Sequence, residues 1–416
     1  MVSEQFARAG RFLRSPLFPI FMIVFVDVLG VGITIPVLPL YAQGTFKATP
    51  GQIALLTTTY FTAQFLAAPQ LGRLSDRVGR RPVLILSQAG TFLALLLSGL
   101  APALWVLYVA RAVDGLTGGN ISVAQAYLSD ITDEKNRARG LGIVNASFST
   151  GFLFGPAFGA FAAAAFGPRV PFYIAAGVSL ITITLSIFLL PESHTAEKRA
   201  QAAARAVGQP AASRWGLLAS PGVLLIAVIA FVSQFAFFSF QSTWVLWAEK
   251  ILFAGHNPQF VQGAVGAIFT LVGIFGIVTQ FWLVGPMVMR FGERMLVASG
   301  VLMRAVAWTV MAAVPVLGAV LVVVPLLSIG GGLQVPALIA LLTYVVPPDH
   351  RGHAIGLMES VQGLGRIAGP VMAGWLFERV HPSAPLAAAA ALSLITFVAS
   401  LGLWRLKRET VPAAAA

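Results

Sequence analysis

The chain has no cysteine, which excludes disulfide bonds and thiolate metal sites. Charge is nearly as scarce. Asp, Glu, Lys and Arg make up 10% of 416 residues, against 57% hydrophobic residues and a mean hydropathy of +0.85. A soluble chain of this length needs far more polar surface to face water. No cleavable leader is expected either, because Arg8, Arg11 and Arg14 run into the first apolar stretch without a small-residue cleavage site. The apolar stretches also lack the strict alternation of membrane-barrel strands. A helical membrane protein is what these absences leave.

Apolar segments of about 20 residues match a bilayer core of roughly 30 Å. Twelve are legible, near 17–41, 51–71, 82–100, 103–128, 140–166, 170–190, 221–247, 260–286, 294–314, 317–345, 354–377 and 384–405. The net charge of +12 would suit nucleic acid, but its distribution argues otherwise. With a cytoplasmic N-terminus, twenty Lys and Arg fall in cytoplasmic segments and four outside: Lys47, Arg169, Lys250 and Arg379. Such a bias predicts both termini in the cytoplasm and makes the basic excess a matter of topology rather than nucleic-acid binding, with contacts to anionic membrane lipids a secondary reading.

Between the sixth and seventh spans runs "PESHTAEKRAQAAARAVGQPAASRW", too polar to enter a membrane. It predicts an N-terminal six-helix bundle over 1–191, a cytoplasmic linker over 192–219 with a helical stretch near 196–206, and a C-terminal six-helix bundle over 220–416. The halves resemble each other. "GRLSDRVGRRPVL" at 72 aligns with "GPMVMRFGERMLV" at 285, and "GFLFGPAFGA" at 151 with "GRIAGPVMAG" at 365. Internal duplication of this kind is common in transporters, whose cargo sites lie near the membrane midplane.

The stretch "GRLSDRVGRRPV" gathers four arginines and an aspartate between two apolar spans. Gly72, Gly79 and Pro82 are expected to turn the chain there, and arginines such as Arg77, Arg80 and Arg81 to hold it on the cytoplasmic side. Anchoring needs only cations, so Asp76 calls for another role: capping a helix or holding arginines such as Arg80. Asp130, at the cytoplasmic end of the fourth span, is a candidate partner for Arg77.

The complete pattern G-x-L-x-D-R-x-G-R-R-P from Gly72 to Pro82 resembles the signature loop of the major facilitator superfamily. "DVLGVGITIPVLP" from Asp27, "RAVDGLTGG" from Arg111, and Gly151, Gly155, Pro156 and Gly159 in "GFLFGPAFGA" resemble motifs of its twelve-helix drug:proton antiporters. "LPESH" at 190 is similar to the bacterial tetracycline exporters. The resemblance implies an all-α polytopic membrane protein of twelve transmembrane helices in two pseudo-symmetric six-helix bundles. It also implies a monomer without cofactor or metal in a bacterial cytoplasmic membrane, and a role for the Gly151 row in blocking leak. Gly276, Arg304 and Ala94 stand where the tetracycline exporters carry a His and two Asp, so the resemblance stops short of those positions.

Acids well inside the spans number three: Asp27, Asp114 and Glu359. A mid-bilayer charge costs roughly 2.5–3.5 kcal/mol on insertion scales, so each needs a partner, water or a function. Asp27 near Arg111 either loads and releases a proton or forms a fixed salt bridge. Asp114, one turn from Arg111, either neutralises it or shares in coupling. Asn120 and Gln125 continue down the fourth span as cavity-lining or packing groups. Glu359, Gln362 and Arg366 share one face of the eleventh span. Glu359 can instead reach the loop at His350–His353, and Arg304 has no evident role. On the seventh span, Phe231, Phe235 and Phe238 with Gln234 and Gln241 form a wall suited to apolar or cationic cargo, unless they are ordinary lipid-facing aromatics.

These residues predict a secondary transporter that exports a lipophilic organic compound in exchange for protons. The alternatives are a proton-coupled lipid or glycolipid flippase and a transport-inactive sensor. No nucleophile or HExxH motif is present, and no span carries a histidine, which argues against an enzyme.

Overall fold

The computed structural model describes residues 17–118, 120–132, 134–195, 197, 217–218, 220–347 and 350–405. Most of the expected linker, including all of its helical stretch but residue 197, lies outside them, as do the arginines ahead of the first span. The described residues are helical, with no strand among them. The helices are α1 Leu17–Phe46, α2 Pro50–Val78, α3 Arg80–Leu100, α4 Leu104–Thr117, α5 Asn120–Ile131, α6 Glu134–Phe166 and α7 Val170–Leu189, followed by α8 Pro221–Trp247, α9 Pro258–Val278, α10 Val284–Ala313, α11 Leu317–Val345, α12 Arg351–Arg379 and α13 Ala384–Leu401. Seven stretches of helix are long and apolar enough to cross a membrane by length and composition.

Two expected boundaries move. Gly72 lies inside α2, so the charged stretch is no extended loop. The chain reverses at Gly79 alone, whose φ of 111° is open only to a residue without Cβ. Its counterpart in the repeat, Gly292, has φ 74° and breaks α10, separating the eighth span from the ninth. A positive-φ glycine thus breaks the helix within both copies of the repeated stretch. The fourth span, read as continuous over 103–128, is interrupted at Gly118 between α4 and α5. Gln64 of α2 donates to the Gly118 carbonyl at 3.0 Å, satisfying an acceptor that the broken helix leaves without an amide.

The chain forms two compact units. One comprises Met1–Ala48, Thr59–Pro210 and His256–Gly273, the other Thr49–Thr58, Ala211–Gly255 and Ile274–Ala416. Within the first, α6 packs on α1 through its glycines. A Cβ on Gly155 would stand 2.8 Å from the Gly32 Cα, and one on Gly151 or Gly159 2.8 Å from a carbonyl oxygen of α1. Such contacts let two helix backbones touch where lipid supplies no hydrophobic drive. Within the second unit α12 treats α8 the same way: a Cβ on Gly369 would meet the Phe235 oxygen at 2.5 Å, and one on Gly365 the Phe231 oxygen at 2.9 Å. Each copy of the second repeated stretch therefore does one mechanical job, bringing its helix against the first helix of its half.

Candidate functional site

Polar side chains collect in three places. The first is the turn after α2. Arg80, its side chain only 11% exposed, forms an ion pair through Nη1 with Asp76 at 2.6 Å and donates through Nε to Asp130 at 3.2 Å. Nη1 also reaches the Ser75 hydroxyl at 2.6 Å. Asp130 therefore meets Arg80 rather than Arg77, which is exposed. The geometry explains the switch: after Gly79 the chain starts a new helix, and Arg80 turns inward while Arg77 stays on the outer face of α2.

The "LPESH" segment completes this cluster in a way that sequence reasoning missed. Glu192 accepts from the backbone amides of Arg80 at 2.9 Å and Arg81 at 3.2 Å, capping the exposed amides of α3 with a carboxylate. Ser193 donates to Asp130 at 3.2 Å, and the His194 Nδ1 lies 3.6 Å from the same carboxylate. The Tyr127 hydroxyl donates to the Pro191 carbonyl at 2.9 Å, and Arg81 to that of Ile187. The end of α7 is thus bound to α3 and α5 by charge-assisted bonds. The available signal was an acid directly after a span, beside a predicted helix start.

The second cluster lies among α1, α2, α3 and α4. Arg111 and Asp114, 4% and 5% exposed, pair at 3.2 Å. Arg111 thus has an ion-pair partner in Asp114, its neighbour one turn away. Arg111 Nε and Nη2 are buried with no hydrogen-bond partner among the described residues, and its guanidinium carbon stands 5.8 Å from the Tyr60 ring centre. Thr91, absent from the sequence expectation, sits between two carboxylates: its hydroxyl is 3.2 Å from Asp114 Oδ1 and 3.4 Å from Asp27 Oδ1. Nothing in the one-dimensional pattern distinguishes this threonine from those that bond only their own helix. Gln125 is exposed on α5 and does not join the cluster, and the side chain of Asn120 lies outside the described residues.

The third cluster crosses the second unit. Gln234 on α8 donates to Gln362 Oε1 at 3.0 Å, which also accepts from Arg366 at 3.4 Å. Arg366 in turn faces Glu359 at 3.6 Å, so the carboxylate meets its own helix neighbour rather than the loop at His350–His353. The Phe231 and Phe235 rings lie 5.9 Å apart beside Gln234, whereas Phe238 packs edge-on against Phe237 at 5.3 Å. Gln241 is half-buried further along α8. Arg304 of α10 approaches α8 next to this row. It donates to Gln334 Oε1 at 3.0 Å and to the Ser233 carbonyl at 3.4 Å, and it lies over the rings of Phe237 and Trp308. No group of three or more His, Cys, Asp or Glu among the described residues could hold a metal ion.

A family model described as Major Facilitator Superfamily matches residues 20–252 and 236–416. The tetracycline resistance protein, class C, of Escherichia coli is 32% identical over 84% of this chain and 86% of its own length. Multidrug resistance protein 2 of Bacillus subtilis (strain 168) is 30% identical over 85% and 87%. Among solved structures, the nucleoside transporter NupG superposes with a TM-score of 0.75 at 15% identity, covering 94% of this chain and all of that one. The human organic anion transporter MFSD10 (TETRAN) superposes with a TM-score of 0.67 at 21% identity, over 92% and 98%.

Proposed function

The chain belongs to the major facilitator superfamily and is a membrane transporter rather than an enzyme; from that premise we propose that it exports a small, lipophilic, drug-like compound in exchange for protons. The family supplies the fold of twelve helices in two six-helix bundles. The names of the relatives favour a drug over a lipid as cargo, since they include tetracycline and multidrug resistance proteins.

The observation that carries the proton half is the Asp27–Thr91–Asp114–Arg111 cluster. One hydroxyl stands within reach of two carboxylates and has one proton to give. With both acids ionised, Thr91 can satisfy only one. A proton arriving on either carboxyl ends that conflict: the carboxylic acid donates to the Thr91 oxygen, and the hydroxyl turns to the other carboxylate. Arg111 pairs with Asp114, and the shared Thr91 hydroxyl links that pair to the protonation of Asp27. Charge inside a bilayer is costly, and this supports a site that loads and unloads one proton as access alternates.

The test uses everted membrane vesicles with an imposed pH gradient and a fluorescent lipophilic dye as cargo. Asp27→Asn and Asp114→Asn are each expected to abolish gradient-driven dye movement while leaving dye binding within a few-fold of the original. Undiminished, gradient-dependent transport in both variants would remove this cluster from coupling.

A further inference from the structure

The second unit holds more positive than negative charge within its spans. Arg304 and Arg366 are guanidinium groups, and Glu359 is the one carboxylate that lies well inside a span there. That carboxylate compensates poorly. Its side chain is 59% exposed and 3.6 Å from Arg366. Arg304 has even less: it is 5% exposed, its acceptors are the neutral Gln334 amide and Ser233 carbonyl, and no ion pair to it occurs among the described residues. Gln334 is itself oriented by donating to the Ser233 hydroxyl at 2.5 Å, which turns its oxygen toward Arg304. Phe237 and Trp308 offer their ring faces at 5.1 and 4.8 Å. Such neutral surroundings hold a cation in place without cancelling its charge.

The two arginines act on one short segment of α8. Ser233 accepts from Arg304, and the next residue, Gln234, bonds the Gln362 amide that also receives Arg366. Arg366 is a quarter exposed, so its planar fork is reachable from outside the packed helices. The α8 backbone at Phe231 and Phe235 packs against Gly365, the residue before Arg366, and the two rings lie 5.9 Å apart on that helix. A guanidinium with a weak internal counterion, joined through Gln362 to a helix that carries paired aromatic rings, is suited to receive a planar or tetrahedral oxyanion on an aromatic body.

Resting on the exporter reading above, we propose that the compound this protein carries bears an anionic oxygen group, a carboxylate or sulfonate, received by Arg366 in place of Glu359 and electrostatically supported by Arg304. Arg366 touches the cargo. Arg304 is a positioning and field-setting residue that acts across α8. Glu359 is a built-in competitor: it occupies Arg366 when no cargo is present and yields its place to a stronger anion. The aromatic wall is then the recognition surface for the body of an acid rather than for a cation.

The test is calorimetric titration of the purified full-length protein with two probes, naphthalene-2-sulfonate and tetraphenylphosphonium. The wild type is expected to bind the sulfonate more tightly. Arg366→Gln should weaken sulfonate binding tenfold or more. Glu359→Gln should strengthen it several-fold, because the competing carboxylate is gone, a gain that mere structural damage would not produce. Arg304→Gln should weaken it and Arg304→Lys recover most of the loss, which keeps the test decisive if the neutral variant folds poorly. Preference of the wild type for the phosphonium, absence of sulfonate binding, or sulfonate affinity unchanged in Arg366→Gln and Glu359→Gln would each overturn the proposal. Because binding is read without a proton gradient, failure here is distinct from failure of proton-driven export, which the vesicle assay reads alone.

Discussion

At the scale of single residues, two arginines of one charged stretch separate completely. Arg77 and Arg80 are equivalent members of the same motif in sequence, yet one is exposed and the other bonds Asp76, Asp130 and Ser75. Arg80→Ala would strand partly buried acceptors, at a cost of about 1–3 kcal/mol. Arg77→Ala removes an exposed cation and should stay within about 0.5 kcal/mol. Thermal unfolding of the two variants in the same detergent checks this, and equal melting temperatures would mean that the Arg80 cluster does not hold the turn. The cluster itself was half legible. Asp76 demanded a cationic partner on chemical grounds, whereas the acids and hydroxyls of Glu192, Ser193 and Tyr127 join it only because α7 ends beside α3 and α5.

Between elements, glycines decide how closely helices pack. Gly155 lets α6 touch α1, and Gly369 lets α12 touch α8. Gly155→Ala must push its methyl group against the Gly32 backbone, 2.8 Å away, and Gly369→Ala against a carbonyl 2.5 Å away. Each overpacking is expected to cost about 1–3 kcal/mol. Gly177 on α7 has nothing within 4 Å of the place its Cβ would take, and Gly177→Ala should cause no loss. Melting temperatures of the three variants rank these contacts, and a neutral Gly155→Ala would count against backbone contact as the purpose of the motif. Sequence spacing put the three glycines of α6 on one face. It could not name the helix that face meets, because a stripe of small residues fits any close-packed partner.

For the whole molecule, the distribution of Lys and Arg sets orientation. The twenty-to-four bias between the two sets of loops predicts that both termini lie in the cytoplasm. A fluorescent protein fused to the C-terminus should therefore glow, and an alkaline phosphatase fused there should stay inactive; the reverse pair of results would invert the topology. The same bias explains why a net charge of +12 belongs with a membrane protein rather than a nucleic-acid binder.

Hydropathy and charge act locally along the chain, so the helical membrane class, the approximate spans, the internal repeat and the intramembrane charges are readable without the fold, whereas the break of the fourth span at Gly118 is not. The Gly79 turn was legible for the same reason, since a reversed helix needs a residue free of Cβ, whereas the matching turn at Gly292 emerged only with the fold. Partnership is not local. Which carboxylate Arg111 meets, why Thr91 matters to Asp27 and Asp114, and how Arg304 comes to lie over two aromatic rings beside α8 depend on distances between helices tens or hundreds of residues apart. Apolar periodicity fixes which face of a helix is covered and leaves open what covers it. Only packing decides that, and with it where a buried charge finds its counterpart or lacks one.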